Sequence, residues 1–203
     1  ANSGTLQGRR SVGLRGGRDF GQPAGGKLRS GGTVTVTAGG VATAGALTAQ
    51  GLALTAGRWR HQGAVTLGGD GRLVLDELDN GGTLRAAGTW EMQAATLSNG
   101  GTLQGGRLVL RGDTLSNDGQ LGGLTQLDLT LSGAAVNRGA LAGERVTLTA
   151  DRLDNAGTLL GMDALTLARA GTARNQTSGQ WLSNGESRLT AVALDNQGRW
   201  QGA

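Results

Sequence analysis

Apolar residues recur along this chain in two alternating patterns. The first is Leu-x-Asn-x-Gly-x-Leu, as in Leu78-Asp79-Asn80-Gly81-Gly82-Thr83-Leu84. It returns around Asn99/Gly101, Asn117/Gly119, Asn155/Gly157 and Asn196/Gly198. Weaker copies keep only the glycine and the apolar residue two places on: Gly4/Leu6, Gly26/Leu28, Gly45/Leu47, Gly63/Val65, Gly139/Leu141 and Gly179/Trp181. The second pattern is an apolar-x-apolar pair between those motifs. It reads Val12/Leu14, Val34/Val36, Leu52/Leu54, Leu73/Leu75, Trp90/Met92, Leu108/Leu110, Leu127/Leu129, Val146/Leu148 and Leu165/Leu167. Alternation at period two is the mark of a strand with one buried face. Helix is disfavoured, because glycine recurs too densely for a helix interior.

The aligned glycines run from Gly4 to Gly198 in ten steps over 194 residues, a mean period of 19.4. One such unit cannot bury its own apolar side, so units must stack. Three short strands and three turns in about 19 residues make one coil of a solenoid. Stacked at ~4.8 Å, each coil pairs its backbone with the coils on either side. The expected fold is therefore all-β: a parallel β-helix of about ten to eleven coils, with residues 1–203 as a single repeat segment. A propeller blade needs about 40 residues, and an antiparallel sandwich would not repeat one turn every 19. The turn is assigned to Asn80, Gly82, Asn99, Gly101, Asn117, Gly119, Asn155, Gly157, Asn196 and Gly198. Both residue types tolerate positive φ, and stacked Asn amides can hydrogen-bond along the axis.

Composition narrows the chemistry. Of 203 residues, 40 are Gly and 2% are aromatic, with one His and no Cys. Ladders of Leu, Val and Ala explain the shortage of rings. Disulfides, Cys-based zinc sites and Cys nucleophiles are excluded. No stretch approaches 18 consecutive apolar residues, so no helix is expected to span a membrane.

The Leu-Asp-Asn and Asn-x-Gly-x-Leu motifs at this period resemble the haemagglutinin repeats of filamentous haemagglutinin-like exoproteins. These are two-partner-secreted proteins of Gram-negative bacteria that include adhesins and contact-dependent growth-inhibition toxins. The resemblance covers nearly the whole chain and is strongest from Leu78 to Ala203. It implies a right-handed β-helical shaft, secreted or displayed on the outer cell surface with the help of an outer-membrane secretion partner. The chain begins inside one repeat at Ala1-Asn2-Ser3-Gly4 and stops inside another at Trp200-Gln201-Gly202. It is accordingly expected to be a fragment of a longer shaft.

Candidate chemistry is sparse. His61, between Arg60 and Gln62, has no Ser, Cys or second His near it in sequence and reads as a turn residue. Asp79, Asp154 and Asp195 share one repeat column, but Ser98, Ser116 and Val136 fill the coils between the first two. At 4.8 Å per coil, Asp79 and Asp154 would be ~19 Å apart and share neither proton nor metal. Gly68-Gly69-Asp70-Gly71 matches a calcium-binding nonapeptide in part, but occurs once. No catalytic residue, cofactor or metal is assigned.

Charge is uneven. Residues 1–30 hold Arg9, Arg10, Arg15, Arg18, Lys27 and Arg29 against Asp19 alone. Forked hydrogen bonding from Arg favours sulphate or carboxylate, so these six are the candidate site for sulphated or acidic glycans. Nucleic acid is not expected, because no aromatic stacking platform accompanies the charge. The sequence thus reads as a non-enzymatic adhesive shaft that attaches to host or neighbouring-cell surface receptors. The alternatives are the stalk of a growth-inhibition toxin and, further off, a polysaccharide-cleaving β-helix.

Overall fold

The computed structural model describes residues 1–203, with the side chains of residues 169–170 outside the described set. The chain forms one sheet system of twenty strands in which every pairing is parallel. It winds as a β-solenoid of about ten turns with no helix. No helix is therefore long and apolar enough to cross a membrane.

The glycine-x-apolar motif sets the first register. Leu6 pairs with Leu28, Leu28 with Leu47 and Leu47 with Val65. The column continues through Leu84, Leu103, Leu121, Leu141 and Leu159 to Trp181 and Trp200. Leu84, Leu103, Leu141 and Leu159 have no solvent exposure at all. Two further columns face the same interior, one from Val34 through Leu52 to Leu108 and Leu165, the other from Leu78 through Leu97 and Leu115 to Leu153. Burying each Leu is worth roughly 1.5–3 kcal/mol, so a coil that contributes three or four such residues is held chiefly by its neighbours.

Three details differ from the sequence reading. Only the first coil carries three separate short strands, Thr5–Gly8, Val12–Arg15 and Asp19–Gln22; the later ones do not. In one coil a four-residue strand, Thr83–Ala86, is followed by a single strand, Thr89–Asn99, that runs through the next bend to the Asn corner. In later coils even the first corner is continuous, as in Thr102–Asn117 and Thr158–Asn175. The pair Leu73/Leu75 is shifted by two residues from its expected alignment. Leu73 stacks on Leu54, and Gly71 takes the place beneath Trp90. A Cβ on Gly71 would collide with the Trp90 ring, so the missing side chain is the space that the indole fills. Finally, no glycine has a left-handed φ. The corner glycines are required by stacking: a Cβ on Gly101 would run into the carbonyl oxygen of Gly82, and one on Gly119 into that of Gly101.

A second glycine column was missed. Gly105, Gly123, Gly143 and Gly161 end the short segments facing inward, and a Cβ there would meet the carbonyl oxygens of Arg107, Gln126, Arg145 and Ala164. Register shifts mark these corners at Gly105/Arg107, Gly123/Gln126 and Gly143/Arg145. They are bulges that bend the strand without ending it. Their signal in the sequence was a glycine four residues after the corner glycine.

Candidate functional site

The most ordered polar feature is a buried ladder of side-chain amides. Asn80 Nδ2 donates to Asn99 Oδ1 at 2.7 Å, and Asn99 Nδ2 to Asn117 Oδ1 at 2.7 Å. Asn137, Asn155, Asn175 and Asn196 continue the chain at 2.8–2.9 Å, every bond in the same direction. Each donor amide also reaches the carbonyl that opens the next-but-one short strand, as Asn99 Nδ2 does at Gln120 O (3.1 Å) and Asn117 at Ala140 O (3.2 Å). Asn80, Asn99, Asn117, Asn155 and Asn175 are fully buried, while Asn196 at the last rung is exposed. A buried polar group must be satisfied or it costs about 1–3 kcal/mol. The ladder satisfies each amide with the next one. Asn137 and Asn175 were not assigned from sequence. The first lacks the preceding Leu-x, and the second is separated from Gly179 by the insertion at Gln176-Thr177.

The ladder starts differently. Above Asn80, in register, lie His61, Thr43 and Gln22. His61 holds the corner position that Asn80 holds on the next coil, and it has no solvent exposure. Its Nε2 lies 3.2 Å from Thr83 O, so this nitrogen carries the proton. Its Nδ1 then accepts from the Thr43 hydroxyl at 2.8 Å, and Thr43 accepts from Trp59 Nε1 at 2.8 Å. Burial pushes the imidazole below its ordinary value of 6.5, with hydrogen bonds to the Thr83 and Gly63 backbone working against it. Because the His61 donor is spent on Thr83, Asn80 Oδ1 is left buried with no partner. The sequence could not reveal this, since it depends on which ring nitrogen faces the next coil.

The tryptophans divide. Trp59, Trp90 and Trp181 are buried, with Trp90 Nε1 donating to Gln104 O at 3.1 Å and Trp181 Nε1 without a partner. Trp200 is 39% exposed and stands edge-on to Trp181.

The structure spreads the six basic residues over two coils, all exposed. Lys27 stacks on Thr5 and Arg29 on Gln7. Arg9 and Arg10 follow at the adjoining corner, where the next coil has Gly31 and Gly32 over their carbonyls. Arg15 lies on the next face, in register with Thr37, and Arg18 at the bend after it. Four of the six therefore share one edge of the solenoid and two do not. Among the described residues, none of the six makes an ion pair. Later arginines are paired across coils: Arg58 with Glu77 (2.6 Å), Arg107 with Asp128 (2.9 Å) and Arg138 with Asp118 (3.3 Å).

Carboxylates stay dispersed. Asp79 and Asp154 stand in one outward column, separated by Ser98, Ser116 and Val136. Asp70 Oδ1 accepts the backbone N–H of Thr89 at 2.7 Å. Among the described residues no three His, Cys, Asp or Glu lie close enough together to hold a metal ion. A shallow apolar cavity of about 230 Å³, rimmed by the exposed Leu124 and Met162 over Gly122 and Ala142, was not anticipated.

A parallel β-solenoid with a ladder core defines the class of the chain. Comparison with known proteins makes the relation more specific. Over an alignment of 221 residues that includes the entire chain, it is 79% identical to Deoxyribonuclease CdiA of Dickeya dadantii. It is also 31% identical, over 98% of its length, to tRNA nuclease CdiA of Yersinia mollaretii. The chain spans about 6% of the length of each of these relatives. No protein-family model and no solved structure matches it. The similarity is thus to CdiA proteins, the contact-dependent-inhibition branch of the resemblance.

These names correct three expectations. An adhesive shaft was expected, from a protein that is no enzyme and has no nucleic-acid partner. Both relatives are named for nuclease activity, one on DNA and one on tRNA. The absence of aromatic stacking in these coils was a poor guide, because it describes one short stretch of proteins many times its length.

Proposed function

We propose that residues 1–203 are one β-solenoid piece of a longer nuclease toxin of the contact-dependent-inhibition kind. On this reading the whole protein is secreted or displayed at the surface of a Gram-negative bacterium, and its activity is the cleavage of nucleic acid. The observation that carries the reading is the 79% identity with Deoxyribonuclease CdiA along the entire chain. The relative at 79% identity is named for DNA, which makes DNA the substrate to test first.

Phosphodiester cleavage requires a nucleophile, a base and charge stabilisation that converge on one phosphate. The side chains that converge in this piece are the ladder amides, and they are buried against one another. The cleaving groups are accordingly assigned outside residues 1–203. What these residues contribute is a stiff spacing of coils, because each coil is bonded by backbone, ladder and core to the next.

The test uses the full-length protein. Purified and supplied with divalent cations, it is expected to cut plasmid DNA and to leave tRNA largely intact, while the 203-residue chain cuts neither. Intact plasmid after incubation with the full-length protein overturns the nuclease reading. Cutting by the 203-residue chain overturns the placement.

A further inference from the structure

We infer that the edge formed by Arg9, Arg10, Lys27 and Arg29 binds the phosphodiester backbone of nucleic acid. The inference rests on the nuclease reading above for its choice of polyanion, and on the structure for its site. A cleft of about 380 Å³ opens beside Arg29, the one of the four cations that lines it, between Gln7, Gly8, Ser30, Gly31 and Thr48. Its polar groups are a guanidinium, an amide and two hydroxyls, all able to donate, and no carboxylate lines it.

Three features favour this edge as a polyanion site. Its cations lack the cross-coil acids that neutralise Arg58, Arg107 and Arg138. The coil that covers Arg9 and Arg10 presents Gly31 and Gly32, so at this corner it places no side chain against their backbone carbonyls. Lys27 and Arg29, outward residues two apart on one strand, sit about 6.6 Å apart, and Arg9 and Arg10 lie one coil spacing of about 4.8 Å away, beside Gly31 and Gly32 just past Arg29. A linear polymer of phosphates lying along the edge meets Lys27 and Arg29 and then Arg9 and Arg10, and the Arg forks hold phosphate oxygens in pairs. Arg15 and Arg18, on other faces, are outside the site.

Anisotropy of labelled single-stranded and duplex DNA with the 203-residue chain tests this. With about four phosphates neutralised, the log–log salt slope is expected near −3 for single strands and near −3.6 for duplex. Changing Arg9, Arg10, Lys27 and Arg29 together to Ser should weaken binding at least tenfold at 100 mM salt and flatten the slope. Changing Arg107, Arg138 and Arg174 to Ser, with unchanged circular dichroism in both variants, should weaken it less than twofold. No DNA binding at 50 mM salt, or equal losses in the two variants, overturns the site. Tighter binding to a heparin-type sulphated glycan than to DNA of equal charge overturns the choice of nucleic acid. Cleavage by the full-length protein is a separate readout. No DNA binding by the unmodified 203-residue chain while the full-length protein cleaves sinks this inference alone, and binding through this edge with no cleavage by the full-length protein sinks the nuclease reading alone.

Discussion

The first three coils and the later ones build the same turn of backbone from different side chains. From Asn80 onward the polar column is Asn on Asn, the short strand ends on an inward glycine from Gly105 to Gly161, and Arg107, Arg111, Arg138 and Arg174 find acids on adjacent coils. Before Asn80 the column reads Gln22, Thr43 and His61, the short strands after the first, which ends on Gly8, end on Ser30, Ala49 and Leu67, and the cations of the first two coils stand without ion-pair partners. The later coils repeat one solution, so each rung satisfies the next. The early coils solve each rung separately, and the junction between the two schemes leaves an orphan, Asn80 Oδ1. Repetition is thus a hydrogen-bonding economy as well as a packing one, because a one-way ladder tolerates a substitution only where its direction can restart.

The largest expected effect separates stacking from turn conformation. Gly101→Val should destabilise by about 3 kcal/mol, because its Cβ is driven into the Gly82 carbonyl and overpacking of this kind costs in that range. The adjacent Gly100→Ala, whose Cβ meets nothing nearer than Asn80 O at 4.0 Å, should change stability by less than about 0.5 kcal/mol. Urea melts of the pair check it, and equal losses would mean that the corner is not a glycine stack.

Next comes the ladder. Asn99→Leu should cost roughly 1–3 kcal/mol, since it removes the acceptor of Asn80 Nδ2 and the donor to Asn117 Oδ1. Thr43→Val, in the early scheme, should cost about 1–2 kcal/mol by stranding Trp59 Nε1 and His61 Nδ1. A loss at Asn99 no larger than that of an exposed Asn-to-Leu change would break the contrast between the two regions.

The His61 junction sharpens the comparison through pH. Burial lowers the folded pKa below 6.5, so below that value the unfolded chain binds the proton more readily than the folded one. The histidine's contribution is fully present above pH 6.5 and is lost as pH falls from there toward the folded value. His61→Asn should remove this slope, and its amide can give Asn80 Oδ1 the donor that it lacks. Thermal melts at pH 7.5 and pH 5 for both proteins measure this, and parallel pH dependence in the two would sink the assignment.

The smallest effect is at the surface. Glu77→Gln should cost less than about 1 kcal/mol, since both partners of the Arg58 ion pair are well exposed. The difference should shrink further in 1 M salt. A larger, salt-insensitive loss would mean that cross-coil pairs hold the column together.

Much of this was legible because the repeat is a statement about register. Eleven Gly-x-apolar motifs align in the structure as they do in the sequence, from Leu6 to Trp200. Where the period slipped, alignment failed for a definite reason. Leu73 and Leu75 look like the usual pair, but Gly71 holds the core position that Trp90 overhangs. A slip of two residues keeps the same face inward, so hydrophobic alternation alone does not detect it. The charge partners were equally hidden. Asp113 lies close to Arg107 in sequence, yet Arg107 pairs with Asp128 on the next coil.

By itself, then, the sequence determined the coil, its period and the inward columns. These follow from glycine and Leu recurring at fixed offsets, and any chain with that recurrence must stack to bury them. Only the tertiary structure decided what each rung does to its neighbour. The direction of the amide ladder, the proton on His61 Nε2, the orphaned Asn80 Oδ1 and the single edge shared by Arg9, Arg10, Lys27 and Arg29 are contacts between residues about 18 to 25 positions apart. Such contacts are set by the height and rotation of one coil on the next, which a one-dimensional pattern does not contain.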